Sequence, residues 1–431
     1  MDALRRIQVG NALGAFGNGF TVPFLFVYVA QVRGIGAGTA GAVFSAFAVS
    51  ALLVLPFVGR AVDSRGPRPV LIAGALAAGV GAMGFGLATT APTVMAAAVL
   101  LGAGMAMVQP ALATMIVWCS TPATRSRAFA TQFFLVNLGL GLGGLLGGQI
   151  VDTAHPGSFT LLFAIDAAMF VVLALVAGSV RLPKSVHLPD SPSQVQGPAL
   201  GGGWRVMLRD KAMVRVSVLG AVLFFTCYGQ FESGMAAFAT EVVRVTPATL
   251  GVALAANTGV IVVAQFLVLR FVERRRRSRV IASVGVVWAL AWLIAAAAGV
   301  LRHDAVVATG AIIGTYALFG LGEVLLSPTV GPMVAELAPA HLLGQYNATF
   351  ALVKQLALAV GPAFGGALAG AGLFGPYLAA LVGCSLLIVV LGMRLGRWLP
   401  ASVDEPFRGI PAAVGSAAVP AGEARSVPAA V

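Results

Sequence analysis

The sequence predicts an all-α membrane protein: twelve transmembrane helices in two pseudo-symmetric six-helix bundles. Three observations carry that prediction. First, 59% of the 431 residues are hydrophobic and only 10% are charged. A soluble globular protein has about 25% charged residues, so this chain cannot cover a water-facing surface. Second, twelve apolar runs of 18 residues or more follow one another, and about 20 such residues span a bilayer. Their continuity argues against a transmembrane barrel, whose strands alternate. Third, Lys and Arg are asymmetric across these runs. With the N-terminus assigned to the cytoplasm, 23 fall on that side and only Arg33, Arg244 and Arg302 on the other. Lys354 lies within a run. Cytoplasmic loops carry this excess, so both termini are expected in the cytoplasm.

The spans fall near 8–31, 39–58, 69–90, 93–118, 128–151, 158–180, 213–238, 247–269, 280–301, 305–335, 345–370 and 374–396. Arg5 and Arg6 before the first run mimic a signal peptide. The run is long and holds Asn11, Asn18 and Pro23, so it reads as a retained helix. The tenth is overlong, and Pro328 and Pro332 should kink its last turns. Residues 1–180 form the N-terminal bundle and 212–399 the C-terminal one. Between them, 181–211 holds four prolines and Gly201, Gly202 and Gly203. It reads as a flexible cytoplasmic linker with a short surface helix from Trp204 to Arg209. Residues 400–431, rich in Ala, Pro and Val, read as a disordered cytoplasmic tail. Most of the 54 glycines sit inside apolar runs, where small residues let helices approach closely.

Net charge is +12. The basic residues lie in short pieces between apolar runs, which argues against nucleic acid and leaves the membrane surface. Cys119, Cys227 and Cys384 are odd in number and scattered, so neither a disulfide framework nor a metal site is expected. Hydrolase, zinc-protease and phosphate-loop motifs are absent. The sequence therefore predicts neither an enzyme nor a cofactor nor direct use of ATP.

The two halves repeat. Arg60-Ala-Val-Asp63-Ser-Arg65 and Arg270-Phe-Val-Glu273-Arg-Arg275 are 210 residues apart, each between the second and third span of its half. Gly143-Gly144 with Gly147-Gly148, and Gly361-Pro362 with Gly365-Gly366, are 218 apart. Parallel six-helix repeats recur in secondary transporters. The loop Gly59-Arg-Ala-Val-Asp63-Ser-Arg65-Gly66-Pro-Arg68 resembles the signature of the major facilitator superfamily. The resemblance extends over nearly the whole chain. Gly361-Pro362-x-x-Gly365-Gly366 is similar to the glycine-proline motif of that superfamily's antiporters. The fifth-span copy here lacks the proline. No arginine stands in the fourth span, where Ala98 precedes Gly102, so proton coupling through such an arginine is not available. The overall match is to the twelve-helix drug–proton antiporter branch.

The resemblance implies that Asp63 bridges the two halves when the cytoplasmic side is shut, with Gly59, Arg65, Gly66 and Arg68 as the rest of a conformational-switch loop. The plain alternative is a solvated loop acid. The run Arg274 to Arg277 reads as a topology signal, with anionic lipid as the alternative.

Ionisable groups inside a bilayer are functional candidates because burying charge there is costly. Four qualify: Asp166, Glu232, Glu323 and Lys354. Asp166 is about two turns from the outer end of its span, where an acid near the headgroups or one packing the bundle is the competing reading. Glu323 and Lys354 lie at compatible depths and are expected to pair. Glu232 is the expected proton-coupling carboxylate, with a solvated vestibule acid as its alternative. Candidate cavity-lining residues are Asn11, Asn18, Phe24, Tyr28, Gln109, Asn137, Tyr228 and Gln230. Phe20, Phe24 and Tyr28 form a stripe at spacing four, which could equally be packing. Asn257 and Gln265 are further polar groups. Gly143, Gly147, Gly148, Gly361, Pro362, Gly365 and Gly366 are the expected helix-packing motif.

These readings imply a monomeric, multi-pass cell-membrane transporter, with lipids around it. It would move a small hydrophobic or amphipathic molecule by alternating access, as proton-coupled efflux. The alternatives are a metabolite uptake permease and a transporter-like membrane sensor, which would be expected to carry a sizeable soluble output domain.

Overall fold

Six helices make the first half: α1 Ala3–Val32, α2 Ala37–Arg65, α3 Pro67–Leu87, α4 Ala91–Trp118, α5 Pro122–Ile150 and α6 Pro156–Ser179. A short helix, Gly203–Arg209, precedes the second half. There α7 runs Lys211–Thr226, resumes at Gly234–Ala237 and ends in a π-turn, Phe238–Val242. It is followed by α8 Pro247–Val272, α9 Arg277–Val300, α10 Ala305–Leu326 with its continuation Val330–Leu337, α11 Leu343–Gly370 and α12 Phe374–Leu395. This computed structural model describes residues 2–181, 203–231 and 233–405. Glu232, most of the expected linker and the tail from 406 onward lie outside the described residues.

Local chemistry sets the helix starts. Proline opens α3, α5, α6 and α8, where its missing N–H costs nothing. Thr90 and Thr121 form reciprocal capping boxes with Thr93 and Thr124. Asp210 caps α7 through the N–H groups of Ala212 and Met213. Gly66, at φ 84°, makes the one-residue turn between α2 and α3.

Among the described residues, eleven helices are long and apolar enough to cross a membrane. The predicted seventh span is the exception, because α7 is broken between Thr226 and Gly234. A broken helix in lipid must re-satisfy its backbone. Gln230, wholly buried, donates from Nε2 to Phe225 O at 3.0 Å and accepts from the Tyr377 hydroxyl at 3.2 Å. The tenth helix bends as its prolines predict, restarting at Val330.

Packing within the halves follows one plan. α1 lies against α5 and α6, α2 against α4, and α3 against α4 and α6; α7 lies against α11 and α12, α8 against α10, and α9 against α10 and α12. Each half has its own apolar core, the first around Phe85, Phe159 and Phe163, the second around Trp288, Trp292 and Phe319. Apolar side chains also face outward, Val263 at 82% exposure and Phe57 at 67%, as a lipid-facing surface requires.

The repeat reaches the backbone. α1 ends in a π-turn, Tyr28–Val32, with Arg33 N–H bonded to Tyr28 O and Ile35 N–H to Val29 O. Exactly analogous bonds join Val243 to Phe238 and Val245 to Ala239, each 210 residues later. Gly34 at φ 64° is matched by Arg244 at φ 63°, so a non-glycine residue takes the left-handed conformation in the second copy. At the helix crossings, a Cβ on Gly19 would lie 2.5 Å from Leu140 O, beside Gly143 and Gly144. One on Gly361 would lie 2.5 Å from Gly229 Cα. The paired glycines let α1 cross α5, and α7 cross α11, backbone to backbone.

Candidate functional site

The halves meet through α2 against α11 and α5 against α8. The hydrogen bonds and ion pairs joining them, among the described residues, gather at the end that carries the basic connections. Asp63 stands within the last turn of α2, not after it. Its carboxylate takes the N–H of Gly344 at 2.6 Å, the N–H of Gln345 at 3.0 Å and the Gln345 amide at 3.1 Å. Those N–H groups open α11 and have no partner within that helix. The acid thus caps a helix of the opposite half, where the helix dipole favours negative charge. Glycines make the approach possible. A Cβ on Gly59 would lie 2.7 Å from Gln345 Cα, and one on Gly344 would lie 2.7 Å from Asp63 Oδ1. Arg68 donates to Gly178 O and ties α3 to the end of α6. Arg65 is exposed.

The repeat builds a counterpart. Glu273, 210 residues after Asp63, faces Arg127 of the N-terminal half, and Arg127 stands 218 residues before Gln345. Burial pushes the Glu273 carboxyl up, and Arg127 pulls it back. Beside it, Glu336 bridges the halves. It accepts both Nη atoms of Arg277, at 2.6 and 3.2 Å, and lies 3.4 Å from Arg125. Arg277 also donates to Ser126 Oγ at 3.2 Å and to Val403 O at 2.9 Å. Arg277 is only 2% exposed. The reading of Arg274 to Arg277 as a topology signal alone is therefore corrected at this residue, which also joins Glu336 and Ser126. Arg276 pairs with Glu405, and Arg275 stacks on Phe271. Deeper in, the Asn347 amide donates to Thr114 Oγ1 at 3.3 Å.

At mid-depth the second half holds a polar group. Glu323, 4% exposed on α10, accepts the Asn257 amide of α8 at 2.9 Å, and the Tyr228 phenol of α7 lies beside the same carboxylate. Lys354 on α11 projects its ammonium over Phe224 at 5.3 Å and Tyr228 at 5.6 Å. Glu323 and Lys354 feel each other's charge, but they do not form the direct ion pair expected from sequence. Glu323 is bonded to the Asn257 amide, and Lys354 lies over the two rings. Lys354 is exposed although it lies about 16 Å along α11 from its start.

Other expected positions fall differently. Tyr28 is wholly buried; its hydroxyl donates to Phe85 O at 2.9 Å and accepts from Arg33 at 2.7 Å, while its ring packs on Phe159 and Phe163. It is core, not cavity lining. The aromatic stripe fails because α1 passes through a 3-10 turn, Val22–Phe24, and Phe24 packs on Gly147. Gln230 is structural, as described, and Asn11 is buried. Asn137 bonds its own helix at Phe133 O. Gln109 is exposed, and Asn18 and Tyr228 are partly so. Asp166 is wholly buried, which rules out the headgroup position. Gly143, Gly147, Gly361 and Gly365 make close crossings, whereas Gly366 faces open space and Gly148 meets only Phe24, at 3.9 Å. Spacing explains the difference: positions four apart share a helix face and positions five apart do not. Sequence reasoning missed Glu336, whose only signal is an acid one residue past the overlong tenth span, near a basic end.

Two repeated six-helix bundles clasped at one end are an architecture that recurs in membrane transporters. A profile of the Major Facilitator Superfamily matches residues 9–362, and the chain belongs to that family. It is 24% identical over 364 residues to the MFS-type transporter YqjV of Bacillus subtilis (strain 168), covering 84% of each chain. It is also 24% identical over 219 residues to the quinolone resistance protein NorA of Staphylococcus aureus (strain MRSA252). That match takes in 50% of this chain and 55% of the relative, so the chain spans about half the length of NorA. Among solved structures it resembles a bacterial homologue of the iron transporter ferroportin in an outward-facing state. There the TM-score is 0.75 at 12% identity, over 92% of this chain and all of the other.

Proposed function

We propose that this transporter exports a hydrophobic or amphipathic small molecule in exchange for protons, with its substrate site at mid-depth around Glu323, Asn257, Tyr228 and Lys354. The observation that carries the reading is the state of Glu323. It is a buried acid held by a neutral amide and a phenol, with its nearest lysine turned toward aromatic rings. A carboxylate that is not neutralised by a direct partner is costly in such surroundings. A proton, or the cationic part of an amphipathic substrate, completes it. Binding one excludes the other, which is the exchange that antiport needs. The likeness to a quinolone resistance protein supports a drug-like cargo.

Alternating access follows from the clasp. Opening the basic end must break the Asp63 cap and the Glu336 bridge, so occupancy at mid-depth and closure at that end are linked through α10 and α11. Glu336 is on the continuation of α10 and the Asp63 cap is on the start of α11. We further place both termini in the cytoplasm and take the monomer as the working unit. Glu232 lies outside the described residues and stays a second candidate carboxylate on sequence grounds.

The test is accumulation of a quinolone and a panel of lipophilic cationic dyes in cells expressing the protein. Expression should lower accumulation, a protonophore should abolish the difference, and Glu323→Gln should reduce efflux to background while the protein is still made. Glu232→Gln is measured alongside. Efflux untouched by the protonophore, or full efflux by Glu323→Gln, overturns the assignment.

A further inference from the structure

The mid-depth group of the second half is not the only buried acid. Asp166 lies ten residues into α6, about 15 Å along the helix from Pro156. It is 0% exposed, and neither carboxylate oxygen makes a hydrogen bond of normal geometry. The carboxyl occupies the space that a side chain at position 17 would need. A Cβ on Gly17 would lie 2.7 Å from Asp166 Oδ1 and 2.8 Å from Met169 Cβ. The polar side chain facing it is Thr21 of α1, whose hydroxyl is likewise without a well-formed partner. Thr21 is the last residue of regular α1 before the 3-10 turn.

Among the described residues, no counter-charge reaches this acid from the helices packed on α6, which are chiefly α1 and α3. On α1, Arg5 and Arg6 lie in the first turns, and Arg33 at the far end is bound to Tyr28 and Gly86. On α3, Arg68 at the basic end is bound to Gly178. The Tyr28 phenol also faces α6, and it is already engaged with Phe85 O and Arg33. An ionised carboxylate buried without a partner is too costly to persist, and such a group neutralises instead. Among the described residues, no cluster of three or more His, Cys, Asp or Glu side chains is placed to hold a metal ion. The fold itself does not demand an acid at this place. The position 218 residues later, in α12, is Cys384.

We propose that Asp166 is a second proton-binding site, in the N-terminal half, loaded while the basic end is closed and unloaded when α1 lifts from α6. The proposal rests on the alternating-access reading above. The step is a simple transfer: the carboxylic acid gives its proton to water admitted between α1 and α6, leaving the carboxylate hydrated. The 3-10 turn of α1 just after Thr21 is where that movement would hinge. Closing α1 back onto α6 expels the water and requires the proton to return.

Infrared spectroscopy of the purified full chain near neutral pH tests this directly. The wild type should show the carbonyl band of a protonated carboxylic acid that shifts with isotope-labelled aspartate and is lost in Asp166→Asn. Loosening the basic end with Glu336→Gln should diminish that band severalfold at the same pH. If Asp166→Asn does not accumulate, Thr21→Val replaces it and should shift the band's frequency by removing the facing hydroxyl. Absence of an aspartic-acid band in the wild type overturns the site. A band indifferent to Glu336→Gln overturns its link to opening. Failure of efflux with the band present would instead count only against the proposed function.

Discussion

Asp63 shows what one side chain contributes when its partners are backbone groups of another domain half. Hydrogen bonds to a charged group contribute about 1.5–3 kcal/mol each, and Asp63 accepts three. Asp63→Asn keeps the shape and one neutral acceptor. Weakening the clasp by about 1.4 kcal/mol shifts the opening equilibrium about tenfold. A cysteine at Leu343, which is 6% exposed between Val117 and Ala335, reports that opening in a background without the three native cysteines. Its labelling rate should rise about tenfold in Asp63→Asn; an unchanged rate with full transport removes the latch. Asp63 was legible because its glycines and basic residues form a local pattern. Glu336 was not, because its partners Arg125 and Arg277 are 211 and 59 residues away and nothing local marks them.

At the scale of elements, the glycine crossings carry the clearest expectation. A methyl group at Gly361 collides with Gly229 backbone atoms at 2.5–2.8 Å, and backbone cannot rotate away. Overpacking of this kind costs about 1–3 kcal/mol. Gly361→Ala should therefore lower the thermal unfolding temperature measurably, while Gly366→Ala, with nothing within 4 Å, should leave it unchanged. Equal behaviour of the two variants would mean that α7 and α11 do not cross where described. The glycine motif was legible as spacing, and which of its members pack was not. The same holds for α7. Its apolar content reads as one span, but the break depends on Gln230 finding Phe225 O and Tyr377, a satisfaction that no linear pattern shows.

At the scale of the whole molecule, the repeat and the charge asymmetry make one joint expectation. Reporter fusions at Pro198 and Val431 should both report cytoplasm, and a fusion at His155 the outside. An external signal from Pro198 would break the six-plus-six arrangement, since six spans must return the chain to its starting side.

The sequence by itself determined the number of spans, their pairing into two repeats and the family, because hydrophobic length, Lys and Arg placement and motif spacing are all properties of neighbouring residues. Tertiary structure alone decided which polar residues meet. Tyr28 became core because helix rotation turned it inward, and Gln230 because the break in α7 brought it to Phe225 O and Tyr377. Asp166 became wholly buried because Gly17 left it room. Glu323 met Asn257, and Lys354 met two aromatic rings, instead of forming a direct ion pair. Each outcome depends on the rotation and crossing point of helices set by contacts between residues far apart in the chain, where depth along a helix is readable and azimuth is not.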